Sequence, residues 1–200
     1  MPPKAIEIEI SPSRMRALVT VRPEVGVIPK GAQIWRRPEV CLQALSSMPT
    51  KRYLAVFTGG ADYEVVSLLD KAKTMGIADR ILWVQELPSS KITAMYTHSV
   101  VVISVAKRQG FGLIPLEALL CGAPSIVSLS SGVSEVLRDG VEAMIVHDES
   151  PEELTEALNK LISNPELRRN IVLNGQRKVL EEFTSIQFVQ RFKEQLLALP

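Results

Sequence analysis

The chain has 200 residues, a net charge of +1 and 46% hydrophobic residues, so one globular domain is the first expectation. The near-neutral charge gives no electrostatic support for binding to nucleic acid or to a membrane surface. No apolar run approaches the roughly 18 residues of a membrane-spanning helix, and no apolar signal core follows the N-terminus. The two cysteines, Cys41 and Cys121, lack metal-binding spacing and predict buried free thiols. We therefore expect a cytoplasmic protein, since free thiols are typical of reducing compartments.

The N-terminal part contains two predicted strands separated by residues that break secondary structure. Residues 6–10 alternate Ile and Glu, which is typical of a half-buried or edge strand. Residues 17–21 form an apolar run that predicts a short buried strand ending at Arg22. The prolines and glycines of residues 23–35 predict a loop, and helical spacing resumes at Val40.

The rest of the chain alternates apolar strand patterns with helical patterns. Strands are predicted at residues 53–58, 81–84, 100–105, 125–127 and 143–146. Asp62 is predicted to cap the helix after the first of these, and the chain beyond residue 150 is predicted to be helical. This alternation predicts an α/β fold, a doubly wound Rossmann-like parallel sheet of about six strands with C-terminal helices. Residues 1–200 then form a single domain, with residues 1–13 as an edge strand or linker.

The turn from Gln109 to Glu117 follows a buried strand and opens a helix. Gly110 and Gly112 bracket the turn, where the backbone needs unusual dihedral angles or a ligand approaches closely. A helix start after such a turn presents free N–H groups that favour an anionic group such as phosphate. Glu117 lies about one helical turn further on, within reach of a sugar hydroxyl. The alternative interpretation of the same spacing is a tight turn that serves packing only, with Glu117 exposed to solvent.

Ligands of doubly wound sheets bind at the carboxyl ends of the strands. Five segments follow predicted strands and are expected at this edge: Arg22, Gly59-Gly60, the loop after Val84, residues 109–112 and residues 128–132. His98 and His147 are expected to be structural or solvated, and Trp35 and Trp83 are expected to pack rather than to stack on a base. The pairs Arg36-Arg37 and Arg168-Arg169 are expected to be ordinary helix surface. A dinucleotide site is not expected, since no Gly-x-Gly-x-x-Gly follows the first predicted strand.

Residues 110–124 and their continuation, residues 132–140, resemble the donor-binding signature of GT-B glycosyltransferases of the group 1, family 4-like retaining type. Further short similarities to this family occur at residues 79–84, 151–154 and 164–168. The similarity covers roughly residues 17–195. The resemblance implies one half of a GT-B fold, the C-terminal half that binds the donor.

The resemblance implies that the crevice binds a nucleotide-diphosphate sugar and that a hexosyl group passes to a sugar or lipid-linked acceptor. Glu117 matches the family's glutamate that binds the ribose hydroxyls. The diphosphate is expected on the loop of Gly110, Phe111, Gly112, Leu113 and Ile114. Arg22 and Lys30 look like the family's cations, which stabilise the charge that develops on the diphosphate leaving group. The chain has no Asp-x-Asp motif, so neither a metal nor another cofactor is expected.

The sequence departs from the family pattern at Gln109, where the family has a glutamate that contacts the transferred sugar. Gln109 and Glu117 are the candidate catalytic residues, although Gln109 carries no charge. The acceptor-binding domain of a GT-B enzyme has no counterpart in the chain and is expected in cis or in trans. The isolated chain is therefore expected to bind a nucleotide sugar and to transfer little or nothing. The alternative is a degenerate, non-catalytic nucleotide-binding or scaffolding module.

Overall fold

The computed structural model describes residues 24–29, 33–49, 53–84 and 87–197. The strands predicted at residues 6–10 and 17–21 lie outside these residues. Within them, strands and helices alternate as predicted. The strands are β1 (Glu24–Ile28), β2 (Tyr53–Thr58), β3 (Ile81–Val84), β4 (Val101–Ser104), β5 (Ser125–Ser128) and β6 (Met144–Val146). The α-helices are α1 (Pro38–Ser47), α2 (Asp62–Thr74), α3 (Ser89–Thr97), α4 (Ile114–Leu120), α5 (Pro151–Ser163), α6 (Pro165–Glu182) and α7 (Ser185–Leu197). Short 3-10 helices occupy Ile34–Arg36, Ala78–Arg80 and Gly132–Glu135.

The six strands form one parallel sheet in the order β3-β2-β1-β4-β5-β6. This order confirms the predicted doubly wound Rossmann-like fold. Gly26 in the central strand β1 is opposite Ala55 on one side and Val101 on the other. The order of the strands reverses between β1 and β4, and the crevice of such a sheet lies at the carboxyl ends of these two strands.

The prediction of a loop over residues 23–35 was wrong at Glu24–Ile28, which is the central strand β1. Pro23, Gly26 and Pro29 suggested a break, since these residue types weaken isolated strands. The two prolines flank the strand, and Gly26 lies in a sheet interior in which Val27 and Ile28 are fully buried. Burial of β-branched residues between two neighbouring strands outweighs the local preference of one glycine.

Two apolar clusters pack on the sheet. The larger cluster includes Ile28 and Phe57 from the strands and buried residues of α1 and α5, which pack against each other. The smaller cluster includes Val27, Val102 and Tyr96 of α3. Adjacent residues of one strand, such as Val27 and Ile28, therefore enter different clusters, as expected for a sheet covered on both faces.

The helix ends are fixed by polar side chains, with two differences from the predictions. The Ser150 hydroxyl accepts a hydrogen bond from the Glu153 N–H at 3.2 Å and caps α5. Asp62 is the first residue of α2 rather than its cap, and the Glu64 carboxylate accepts the Ala61 N–H at 2.8 Å instead. Arg168 is not an ordinary surface residue, since its guanidinium donates to the last carbonyl groups of α5.

The thiol of Cys41 is fully buried as predicted, and burial raises its pKa to about 12. Cys121 is only half-buried at the end of α4, and both thiols are free. Among the described residues, no helix is long and apolar enough to cross a membrane. The amphipathic α7 buries none of its side chains, and the rings of Phe188 and Phe192 stack on its surface at 6.1 Å.

An ion pair between the buried carboxylate of Glu142 and the exposed guanidinium of Arg138 makes the stability depend on pH. The Glu142 carboxylate is buried, and burial opposes its charge, but hydrogen bonds from the Arg138 N–H and guanidinium hold its pKa below the usual range. A carboxyl group with a depressed folded pKa stabilises the protein above its unfolded pKa of about 4.3 and loses this effect as the pH falls through the folded pKa.

We expect Glu142→Gln to lower the free energy of unfolding at pH 7 by about 1.5–3 kcal/mol, the usual range for a hydrogen bond to a charged group. The difference in the free energy of unfolding between this variant and the unmodified chain should shrink as the pH falls below about 4. Thermal unfolding between pH 2 and pH 8 measures both effects. Glu181→Gln on the exposed surface of α6 is the control and should leave the pH profile unchanged. A Glu142→Gln profile parallel to that of the unmodified chain would contradict this assignment.

Candidate functional site

The loops that follow β1, β4 and β5 meet at the carboxyl edge of the sheet. The loop after β4 reaches the 3-10 helix that follows β1, where the Lys107 N–H donates to the Trp35 carbonyl at 3.1 Å. The Lys107 ammonium also pairs at 2.9 Å with Glu149, which follows β6. The β4–α4 loop is therefore tied to neighbours on both sides, at the edge where the sequence predicts a ligand site.

Serine side chains at the end of β5 support the first part of the β4–α4 loop. The fully buried Ser128 hydroxyl accepts the Ala106 N–H at 3.1 Å and donates to the Ala106 carbonyl at 2.8 Å. The Ser130 hydroxyl donates to the same carbonyl at 3.0 Å and accepts the Arg108 N–H at 3.3 Å. Residues 128–132 were predicted at this edge, but these hydrogen bonds were not.

The glycine-rich part of the loop is held by backbone bonds to the turn after β5. The Gly132 N–H donates to the Gly110 carbonyl at 2.9 Å, and the Val133 N–H donates to the Phe111 carbonyl at 2.7 Å. Gly112 has a φ of 85°, which favours glycine, whereas a Cβ at Gly110 would meet no atom within 4 Å. The unusual backbone conformation predicted for this turn is therefore found at Gly112 and not at Gly110.

Arg36 is a site residue, and the prediction that it lies on the helix surface was wrong. Its side chain is buried, with 6% of the residue exposed. Its Nη1 donates to Oε1 of Gln109 at 3.1 Å, and its guanidinium carbon lies 4.0 Å from the centre of the Trp35 ring. Burial lowers the pKa of Arg36, and the nearby Tyr96 partly opposes this shift.

Arg37 also differs from the prediction, because it occupies the left-handed backbone region with a φ of 54° at the start of α1. Its guanidinium pairs with Glu39 at 3.1 Å and with Glu149 at 3.3 Å. These pairs link the start of α1 to the same carboxylate that holds Lys107. The sequence signal for both arginines was only their position shortly before a helix with Pro38 in its first turn.

Glu117 projects from the first half of α4 and is exposed, with no hydrogen-bond partner for its carboxylate among the described residues. The phenol of Tyr96 is buried nearby, and its pKa is raised by burial first and then by the charges of Glu117 and Cys121. Burial and Glu117 also raise the pKa of the Cys121 thiol. Glu117 is therefore the accessible anion of this group and is free to accept hydrogen bonds from a ligand.

Aromatic side chains lie at both sides of the loop. Phe111 is partly exposed, and its ring lies 5.8 Å from the ring of Phe183, which directly follows α6. Trp83 is half-buried, and its indole N–H donates to the Gly59 carbonyl at 3.0 Å, which confirms a packing role. Trp35 is 42% exposed and carries the guanidinium of Arg36 instead of packing in the core.

The structure brings together most of the predicted site residues that it describes. Residues 109–113 form one connected loop that leads into α4, which begins at Ile114, and Glu117 follows on that helix. Arg22 and Lys30 lie outside the described residues, and β1 begins after Arg22 in the sequence. In the described ranges, no group of three or more His, Cys, Asp or Glu side chains is placed to hold a metal ion.

Solved structures share this fold. HepE from Anabaena in complex with UDP superposes with a TM-score of 0.83 at 22% identity, over 94% of this chain and 54% of that protein. The C-terminal domain of the glycosyl transferase group 1 protein LpcC from Francisella tularensis gives a TM-score of 0.72 at 21% identity, over 81% of this chain and 86% of that domain. The fold is therefore that of one Rossmann-like half of a GT-B glycosyltransferase.

The sequence model of the family "Glycosyl transferases group 1" matches residues 30–178, and the chain belongs to this family. A D-inositol 3-phosphate glycosyltransferase from Thermobifida fusca is 26% identical over 70% of this chain and 35% of its own length. An N-acetyl-alpha-D-glucosaminyl L-malate synthase from Bacillus anthracis is 23% identical over 79% of this chain and 41% of its length. The chain thus spans less than half the length of these relatives.

Proposed function

We propose that this chain is the nucleotide-diphosphate-sugar-binding half of a glycosyltransferase that transfers a hexosyl group to a sugar or lipid-linked acceptor. The observation that carries the proposal is at the carboxyl edge of β1 and β4. There the glycine-rich loop is held by hydrogen bonds from the turn after β5 and lies beside the buried guanidinium of Arg36. Family membership supports the reaction class. The HepE structures with UDP and with UDP-glucose support the class of ligand.

Each ligand group has a proposed partner. The N–H groups of Gly112, Leu113 and Ile114 have no acceptor among the described residues, and they are proposed to donate to the diphosphate. The Glu117 carboxylate is proposed to accept from the ribose hydroxyls, since a charged acceptor gives strong hydrogen bonds. Arg22 and Lys30 remain proposed cations for the diphosphate.

The second half of the enzyme is proposed to come from an acceptor-binding domain in cis or in trans. The motivation is the length of the relatives, of which the chain covers 35% and 41%. Transfer needs the acceptor to be held close to the donor sugar, because proximity and orientation supply a large part of the rate. This chain alone is therefore proposed to bind the donor and to transfer little or nothing.

Isothermal titration calorimetry of the chain with UDP, ADP and GDP tests the proposal. We expect one of them to bind with a dissociation constant between about 1 μM and 1 mM, since only half of the site is supplied. Glu117→Gln should weaken this binding about tenfold, equal to about 1.4 kcal/mol, because a charged acceptor is lost. Glu166→Gln at the exposed start of α6 is the control and should bind as the unmodified chain does. No binding of any of the three at millimolar concentration would overturn the proposal.

A further inference from the structure

Arg36 is a buried cation that lacks an anionic partner among the residues that the structure describes. No carboxylate of these residues lies within 4.0 Å of its guanidinium, and its buried Nε has no hydrogen-bond partner there. The Trp35 ring offsets only part of the cost of burying the charge. A buried charge is normally paired, so the site favours a ligand that supplies an anion.

The hydrogen bond from Arg36 also fixes which atoms Gln109 presents. A guanidinium has donors only, so the Gln109 oxygen faces Arg36 and the Gln109 amide nitrogen faces away. The carboxamide lies over Gly112, where an added Cβ would be 3.1 Å from its carbon and its nitrogen. Arg36 and Gln109 together therefore offer N–H donors to a ligand, whereas a glutamate at position 109 would offer an acceptor.

A pair of donors is complementary to a group that only accepts hydrogen bonds, and a carboxylate is such a group. The Gln109 carboxamide contacts Gly112, whose N–H is one of the proposed diphosphate donors. The sugar of the donor is bonded directly to that diphosphate, so it comes within reach of Gln109. A glutamate at position 109 would instead pair with Arg36 and repel an acidic sugar.

We propose that the Arg36–Gln109 pair binds a carboxylate on the donor sugar, so that the donor is a nucleotide-diphosphate hexuronate rather than a neutral hexose. This inference rests on the proposed function, because the pair acts on the sugar of a bound nucleotide sugar. It names the substrate class of the site and accounts for the neutral residue at position 109.

The test compares UDP-glucuronate with UDP-glucose, which differ only at C6 of the sugar: this carbon is a carboxylate in the first and a hydroxymethyl group in the second. Calorimetry of the 200-residue chain should show UDP-glucuronate binding about tenfold tighter, with UDP as the reference without a sugar. Arg36→Met should remove this preference, because it weakens the binding of UDP-glucuronate more than the binding of UDP-glucose or UDP. Gln109→Glu should reverse the preference, because its carboxylate repels the uronate. Arg169→Met, which removes an exposed charge on α6, should change none of these values.

Equal affinities for UDP-glucuronate and UDP-glucose would overturn the inference. The proposed function would still stand in that case, because UDP itself binds. An Arg36→Met variant that loses UDP and both sugars by the same factor would assign Arg36 to the diphosphate and overturn the inference. If Arg36→Met does not fold, the preference of Gln109→Glu decides. If GDP or ADP binds in place of UDP, the glucuronate and glucose derivatives of that nucleotide are compared instead. Failure of all three nucleotides would overturn the proposed function as well.

Discussion

Gly132→Ala is expected to lower the free energy of unfolding by about 1–3 kcal/mol and to weaken nucleotide binding at least about tenfold. A Cβ at this position would lie 3.0 Å from the Gly110 carbonyl oxygen and 3.1 Å from Cα of Phe111. Both atoms belong to the backbone and cannot move aside as a flexible side chain does. The β4–α4 loop would have to shift, and the 2.9 Å bond from Gly132 to Gly110 would be lost or distorted.

Gly110→Ala is the matched control for stability, because a Cβ there meets no atom within 4 Å and the residue has no positive φ. We expect its free energy of unfolding to be unchanged or raised by up to about 1 kcal/mol, since alanine restricts the unfolded chain. Urea unfolding and nucleotide calorimetry on both variants give the comparison. A Gly132→Ala variant as stable as Gly110→Ala, with unchanged affinity, would show that the contact between the two loops does not shape the site.

Leu119→Ala is expected to lower the free energy of unfolding by about 2–5 kcal/mol, the range for a buried leucine. Adding Gly175→Ala to this variant is expected to recover part of the loss. Leu119 of α4 is fully buried, and a Cβ on Gly175 of α6 would lie 2.6 Å from Leu119 Cδ2 and 2.7 Å from Cδ1. Gly175→Ala alone therefore overpacks the contact, at about 1–3 kcal/mol, against a gain in helix propensity of about 1 kcal/mol. With the shorter side chain at position 119, the clash disappears and the gain remains.

The double variant should thus be more stable than the sum of the single changes predicts, with a coupling of about 0.5–3 kcal/mol. Urea unfolding of the two single variants and the double variant measures this coupling. Leu45→Ala combined with Gly175→Ala is the control and should be additive, because the buried Leu45 lies on α1, which packs against α5. Additive effects at Leu119 and Gly175 would mean that the close approach of α4 and α6 does not depend on this glycine.

Most of the sheet could be predicted from the sequence, because its strands are short apolar runs rich in β-branched residues. Val101 to Ser104 and Ser125 to Ser128 show this, since every residue in both strands is buried. The strand β1 could not be predicted in the same way, because Pro23, Gly26 and Pro29 give a local preference for a loop. Its position depends on pairing with β2 and β4, which no local pattern reveals.

The site could be predicted only in part. The loop around Gly112 and the position of Glu117 follow from local spacing, and the structure places both at the expected edge. The role of Arg36 depends on Gln109, which lies 73 residues further along the chain. A pair of arginines before a helix is usually solvated, so only the tertiary contact reveals that one of them is buried beside the glycine-rich loop. The roles of Arg22 and Lys30 remain predictions.

The order of the strands has a consequence for how the chain folds. During synthesis β1, β2 and β3 are available to pair before β4 is made, so one edge of β1 has no neighbour at that stage. Unpaired strand edges are prone to aggregation, and parallel pairing across long sequence separations is slow. The crevice between β1 and β4 forms only when this last pairing is complete. Nucleotide binding measured during refolding would therefore report the joining of the two halves of the sheet.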